Sequence, residues 1–321
     1  MIFNNKEYSI PKITIGCEAL GGTDWGKKDI NELSNVLYKS FDYGFNCIDT
    51  ADVYGLGESE RKINEIFREK TKEIFIISKF GVRWNNTETK GRATTYKDLS
   101  INYLREALEG SLKRLKIDAI PLYLVHWPDN RYDIDQIISE LKSQKEKGKI
   151  INFGLSNFSL KDISLNSLNE IDAICNSFNL LDQNSNKNIL TEGHKLNKSI
   201  FVYGTLAQGL LTGNYSKDSH FEADDRRSRL DHFKKNYDHN LEKIIKKILE
   251  ISKNNKESAA QVVHKWIVSK KIADSSIIGI SNMSQLEELI KVSDSKLQDK
   301  YIEELDYLGN QYINKIKKIN L

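Results

Sequence analysis

The sequence predicts a (β/α)8 TIM barrel with a short N-terminal hairpin and a long loop after the seventh strand. Three observations carry that reading. Eight short apolar runs recur along the 321 residues, each of the length and continuity expected of a parallel strand covered on both faces. Helical patterns separate them without any linker-like shift in composition, so 1–321 reads as one domain. Three of the runs end on an ionisable residue just as the strand would surface: Asp49, Lys79 and His126. Barrel sites form at the carboxyl ends of strands, and packing alone does not call for that pattern.

Taken in order, the strands fall at 13–20, 45–50, 74–79, 120–126, 151–156, 173–179, 200–205 and 276–280. Residues 6–10 read as one arm of a hairpin at the barrel floor. Helices are expected over 29–43, 59–70, 98–115, 133–147, 160–169, 186–197, a pair within 239–270, and 284–293. Asp29 is placed as an N-cap, and Tyr43-Gly44 closes the same helix. Ile63, Ile66 and Phe67 recur at helical spacing. The three prolines, Pro11, Pro121 and Pro128, all lie outside the helix interiors.

Composition excludes several function classes. With 48 Lys+Arg against 45 Asp+Glu the net charge is +3, and the charged residues are spread along the chain. That argues against nucleic acid or a membrane surface as the main partner; lysine-rich pieces such as 142–149 read as solvated helix ends. Cys17, Cys47 and Cys175 share no metal or redox spacing and sit in apolar runs, as small core residues of a reducing compartment do. No apolar run reaches the ~20 residues of a membrane span, and the first residues lack a signal-peptide core. A cytoplasmic protein is expected. His194, His220, His232, His239 and His264 show no ligand spacing, so no metal site is expected.

The chemistry gathers in Asp49-Thr50-Ala51-Asp52-Val53-Tyr54-Gly55, then Ser78-Lys79, then Leu124-Val125-His126-Trp127-Pro128-Asp129. A phenol is a poor acid near neutrality, its reference pKa being about 10. An adjacent ammonium favours the phenolate, a carboxylate fixes the ammonium, and an imidazole orients the reacting oxygen. Such a device protonates a carbonyl oxygen. Asp52 reads as a turn or hydrogen-bonding residue rather than a second catalytic acid. Gly55-Leu56-Gly57 opens like a Rossmann fingerprint but meets Glu60 where the third glycine belongs, and is read as a turn.

At these motifs the chain resembles the aldo-keto reductase family, over residues 12–292. The resemblance implies a tetrad of Asp49, Tyr54, Lys79 and His126, and a hydride taken from NADP(H), with NAD(H) not excluded, to reduce an aldehyde or ketone. It implies that Ser156 and Asn157 hold the nicotinamide carboxamide and that Tyr203 stacks on the ring. Gly16, Gly204, Thr205 and Leu206 join the cofactor contacts, and Gly279, Ser281, Gln285 and Glu288 take the adenosine 2′-phosphate and adenine. The stretch 209–238 is long for a compact domain and reads as a lid over the cofactor, with disorder as the alternative.

The chain also departs from the family pattern. Cys175 stands where many relatives place a glutamine on the nicotinamide amide, Leu289 where an asparagine lies near the adenine, and Ser281 where some branches aim a cation at the 2′-phosphate. Two rivals stay open: a Schiff-base aldolase using Lys79, and an NADP(H)-binding regulatory subunit, for which the sequence shows neither a partner surface nor an N-terminal extension. Substrate choice falls to the loop after the first strand with Trp25, to 81–92 with Arg83, Trp84, Lys90 and Arg92, and to the C-terminal tail. Trp25, Trp84 and Trp127 are pocket walls or ordinary loop aromatics. The polar, cationic second segment suits a sugar, a sugar phosphate or a nucleotide sugar.

Overall fold

A computed structural model describes residues 2–3, 6–7, 10–85, 94–184, 186–292 and 296–319. Eight parallel strands close into a barrel: β1 (Ile13–Gly16), β2 (Cys47–Asp49), β3 (Phe75–Phe80), β4 (Ile120–Val125), β5 (Ile150–Ser156), β6 (Ala173–Ser177), β7 (Ser199–Tyr203) and β8 (Ser275–Gly279). Each pairs with its sequence neighbours, and β8 closes on β1 with Gly279 opposite Gly16. Around them stand α1 (Ile30–Asp42), α2 (Glu58–Phe67), α3 (Ile101–Leu115), α4 (Ile134–Glu146), α5 (Leu165–Glu170), α6 (Lys187–Lys195), α7 (His239–Asn255), α8 (Ala259–Lys270), α9 (Met283–Ile290) and α10 (Asp299–Ile319). The expected hairpin is the antiparallel pair Ile2–Phe3 with Lys6–Glu7.

Alternation along the strands divides the core in two. Cys47, Phe75, Ile77, Leu122, Leu124, Ala173, Cys175, Phe201 and Ile277 fill the barrel interior. Their neighbours Ile48, Ile76, Tyr123, Ile174 and Val202 face outward into the layer shared with the helices. Both faces are dry, which is why the strands read as unbroken apolar runs rather than alternating ones. On α7 the buried Leu241, Ile244, Ile245, Ile248 and Ile251 form the stripe of an amphipathic helix. Asp29 caps α1 through the Asn31 and Glu32 amides, as expected.

The corrections to the reading are local. The first strand stops at Gly16 instead of running to 20, because the chain turns into a 3-10 helix over Glu18–Gly21. The helix expected over 160–169 is reduced to Leu165–Glu170. The segment 81–92 begins as a strand, Val82–Trp84, paired with Thr95–Lys97; Lys90 and Arg92 lie outside the described residues, as does Ser293 at the end of the expected last helix. The C-terminal tail is no loop: it forms α10, packed on α7 and held to α8 by Asp306, which accepts from Trp266 Nε1 (2.9 Å) and Lys270 Nζ (2.6 Å). Trp266 is therefore a core residue. The long loop is ordered around its own small core. Tyr215, Phe221 and Phe233 pack edge to face or tilted, and the Arg227 guanidinium lies 4.5 Å from the Phe221 ring centre and is paired with Asp225.

Candidate active site

The carboxyl ends of β2, β3 and β4 bring Asp49, Lys79 and His126 to one arc of the barrel mouth. Lys79 Nζ donates to Asp49 Oδ2 at 2.6 Å and to the Thr50 carbonyl at 2.8 Å, with the two side chains 3% and 7% exposed. Tyr54 follows β2 on a turn that a glycine contact fixes in place. Gly55 adopts φ +58°, and a Cβ there would stand 2.1 Å from the Gly21 carbonyl oxygen. The loop after β1 is thereby pressed against the tyrosine. Lys79 Nζ lies 5.2 Å from the Tyr54 ring centre, and the Tyr54 and His126 rings meet edge to face at 5.8 Å. All four expected catalytic side chains converge.

Their electrostatics differ from the simple expectation. Burial holds the His126 imidazole well below its usual range, with Lys79 and Arg226 adding to the effect, so it is neutral at pH 7. Burial raises the Asp49 carboxyl, against the Lys79 charge. The Tyr54 phenol is pushed well above 10 by desolvation, then by the negative charges of Glu18 and Asp49, and Arg226 opposes them. The expected lowering by Lys79 is not found. Its ammonium is already matched by Asp49 at contact distance, so little of its field remains for the phenol. Tyr54 is protonated at neutral pH.

Sequence reading missed two charged groups at this mouth. Glu18 stands just beyond β1, beside Cys17, whose amide donates to the Asp49 carbonyl at 2.8 Å. Arg226 comes from the long loop and places Nη1 at 2.8 and 2.9 Å from the two Glu18 carboxylate oxygens, over the Trp25 ring. Arg229 pairs with Asp24 at 2.7 Å, and the Arg226 amide donates to the Asp24 carbonyl at 2.9 Å. The loop after β7 is thus strapped to the loop after β1. Arg83 is turned away, into Asp98 and Glu106 at 3.2 Å each. Trp127 is 40% exposed and stacked near His126, whereas Trp84 belongs to the small hairpin. Asp52 is buried and accepts from the Tyr103 hydroxyl at 3.1 Å.

Of the residues read as cofactor contacts, Gly16, Ser156, Asn157, Tyr203, Gly204 and Gly279 stand at the ends of β1, β5, β7 and β8, while Gln285 and Glu288 lie on α9. Gly16 lies between Asp49 and Gly279 in register. Asn157 takes φ +65°, a conformation asparagine tolerates. Its Nδ2 donates to the His126 carbonyl at 2.9 Å and to Ser156 Oγ at 3.1 Å, and its Oδ1 accepts from the Tyr203 hydroxyl. Gly204 takes φ +66°; Thr205 is buried and Leu206 packs on the core. Gln285 Oε1 accepts from the Ser281 amide at 2.7 Å, and Glu288 accepts from Ser258 Oγ at 2.7 Å. Cys175 is fully buried in the barrel interior, its thiol pushed up to about 12 by burial. It offers no surface to the mouth, and the residue at the end of that strand is Ser177, opposite Tyr203. Leu289 is a core residue.

The model of the aldo/keto reductase family matches residues 12–310. The chain belongs to that family. Among relatives, the aldo-keto reductase YhdN of Bacillus subtilis (strain 168) is 29% identical over 286 residues, covering 88% of this chain and 85% of its own. The aldo-keto reductase yakc (NADP(+)) of Schizosaccharomyces pombe is 31% identical over 308 residues, covering 92% and 88%. Among solved structures, the glycerol dehydrogenase AKR11B4 from Gluconobacter oxydans superposes with a TM-score of 0.86 at 26% identity, over 97% of this chain and 95% of that one. This aldo-keto reductase is accordingly an NAD(P)H-dependent oxidoreductase, and NADP(H) is a cofactor that fits its family. Among the described residues no helix is long and apolar enough to cross a membrane, and no group of three or more His, Cys, Asp or Glu could hold a metal ion.

Proposed function

We propose that the chain, as one barrel domain, reduces a small polar aldehyde or ketone to the alcohol, with Tyr54 as proton donor. The observation that carries this is the placement of a protonated Tyr54 between the neutral His126 ring at 5.8 Å and the buried Lys79–Asp49 pair. Bound NADPH supplies the hydride. His126, uncharged, orients the carbonyl by donating one hydrogen bond. Tyr54 gives its proton to the oxygen as negative charge develops there. Lys79 and Asp49 form the buried pair against which the phenol packs, each holding the other in place.

The second arc fits a dinucleotide. Gly279 is exposed at the end of β8, where an added Cβ would meet nothing nearer than the Gly16 carbonyl oxygen at 3.9 Å. Gly204 likewise leaves the end of β7 open to close approach. Beyond them the N-terminus of α9, led by Ser281 and Asn282, suits a phosphate by its amides and dipole. Ser156, Asn157 and Tyr203 would hold the nicotinamide end. Three free buried cysteines suit a reducing cytoplasm.

For the substrate, the Glu18–Arg226 pair and the Trp25 and Trp127 rings favour a short hydroxylated carbonyl compound, and the glycerol dehydrogenase neighbour supports the same class. The aldolase rival is disfavoured: a Schiff base needs a free amine, whereas Lys79 is 3% exposed and bonded to Asp49 and the Thr50 carbonyl. The test is titration of the purified chain with NADPH and with NADH, followed by tryptophan quenching, then oxidation of the reduced cofactor with glyceraldehyde. Tight NADPH binding and glyceraldehyde-dependent oxidation are expected. Binding of neither nucleotide would sink the reading.

A further inference from the structure

The backbone N–H and both side-chain polar atoms of Asn157 are engaged from within the chain. Its amide donates to the Cys175 carbonyl at 3.1 Å and to Asn176 Oδ1 at 2.8 Å. Its Nδ2 is held by the His126 carbonyl and Ser156 Oγ at 2.9 and 3.1 Å, which fixes the carboxamide so that Oδ1 faces Tyr203. The Tyr203 hydroxyl then donates to that Oδ1. A nicotinamide carboxamide brings an NH2 group that needs this same acceptor, and the ring under which it would lie belongs to the residue that occupies it.

We infer that the Tyr203 hydroxyl stands in for the nicotinamide carboxamide on Asn157 Oδ1, and that this internal hydrogen bond competes with the cofactor for its seat. The inference rests on the cofactor reading proposed above. Cofactor binding then requires the phenol to let go of Asn157, and a second partner is at hand. Ser177 is opposite Tyr203 in the register of β6 and β7, with its Oγ 3.0 Å from Asn186 Nδ2. The exchange keeps the partly buried hydroxyl and amide oxygen both satisfied, as polar groups withdrawn from water require. Tyr203 thereby sets how tightly the nicotinamide end is held and leaves the adenosine end untouched.

The consequence runs against ordinary expectation, in which trimming a polar atom from a binding site weakens binding. Tyr203→Phe keeps the stacking ring and removes the competitor, leaving Asn157 Oδ1 without its internal donor. A ligand that supplies a donor then gains what the free protein has lost. The experiment is equilibrium titration of wild type and Tyr203→Phe with three probes: NADPH, 2′-phospho-ADP-ribose, which lacks the nicotinamide, and the 3-acetylpyridine analogue of NADPH, whose methyl ketone cannot donate. NADPH is expected to bind about three- to tenfold more tightly to the variant, with the other two unchanged. NADPH binding that weakens or stays equal overturns the inference, as does an equal gain for all three probes, which would place the effect away from the carboxamide. Failure of the wild type to bind NADPH at all would sink the cofactor reading and this inference together; wild-type binding without the gain would sink the inference alone.

Discussion

On the β2–β4 side of the mouth Lys79 and Asp49 are buried and matched at 2.6 Å, and the backbone contact of Gly55 with Gly21 fixes the turn that carries Tyr54. On the β5–β8 side the polar groups are engaged in internal hydrogen bonds rather than in a buried ion pair: Tyr203 on Asn157, Gln285 on Ser281, Glu288 on Ser258. There the closing element is a loop held by half-exposed ion pairs. On the proposed function, the first arc has to be the same before and after each turnover, because a proton must move along a fixed line. The second has to admit and release a large ligand. Preorganisation serves the former and exchangeable contacts the latter.

Substitutions on the first arc should therefore be severe and specific. Tyr54→Phe is expected to lower kcat by about 10²- to 10⁴-fold, the usual range for a general acid, with NADPH affinity within about twofold of wild type because the cofactor arc is untouched. Loss of NADPH binding in that variant would break the division of labour. The raised Tyr54 pKa also fixes a sign. The phenol stays protonated through neutral pH, so reduction needs no alkaline conditions, whereas alcohol oxidation needs the phenolate and should climb with pH across the alkaline range. An oxidation rate that is flat from neutral to alkaline pH would count against Tyr54 as the base.

Lys79→Met tests the pairing itself. It leaves Asp49 buried without its counter-charge, and breaking a buried pair from one side costs about 3–5 kcal/mol, visible as a large fall in Tm. Asp49→Asn combined with Lys79→Met should recover much of that stability and none of the activity. A double variant as unstable as the single one would show that the pair is not the source of the cost.

The same contrast explains what could be read in the chain. The eight strands were legible because a doubly covered strand leaves an apolar run, and Asp49, Lys79 and His126 because each interrupts such a run at its surfacing end. Glu18 obeys the same rule but was hidden: with the first strand read to 20, it lay inside the run instead of beyond its end. Arg226 gave no periodic signal, since a 3-10 turn in a long loop has none. Its place depends on Trp25 and Glu18, 201 and 208 residues away. Helix α10 is legible in Tyr301, Leu305, Leu308 and Tyr312 at helical spacing. The internal engagement of Asn157 by Tyr203 cannot be read from order along the chain at all.

Behind the second arc, His264 on α8 is 1% exposed, and neither ring nitrogen has a hydrogen-bond partner. Burial lowers its pKa to about 4. The fold thus favours neutral imidazole, and the contribution is fully present above the unfolded value of about 6.5 and lost as pH falls toward 4, at most about 3 kcal/mol. His264→Leu should flatten the stability of the protein over that window relative to wild type, measured by urea unfolding at several pH values. Parallel profiles would show that His264 is protonated in the fold.

The smallest effects belong to the strap between the loops after β7 and β1. Arg229 and Asp24 are 39% and 22% exposed, and such a pair contributes on the order of 0–1 kcal/mol. Arg226 meets both Glu18 oxygens and its backbone amide is bonded as well, so its side chain should count for more. If the strap closes over NADPH, Arg229→Ala should speed NADPH release about twofold and Arg226→Ala about tenfold, read by stopped-flow quenching. Added salt should narrow the gap between wild type and each variant, since screening acts on the half-exposed pair that the variants lack. Release rates that ignore both substitutions would mean that the loop after β7 shapes the substrate side of the mouth rather than covering the cofactor, and that only the exchangeable hydrogen bonds beneath it hold the nucleotide.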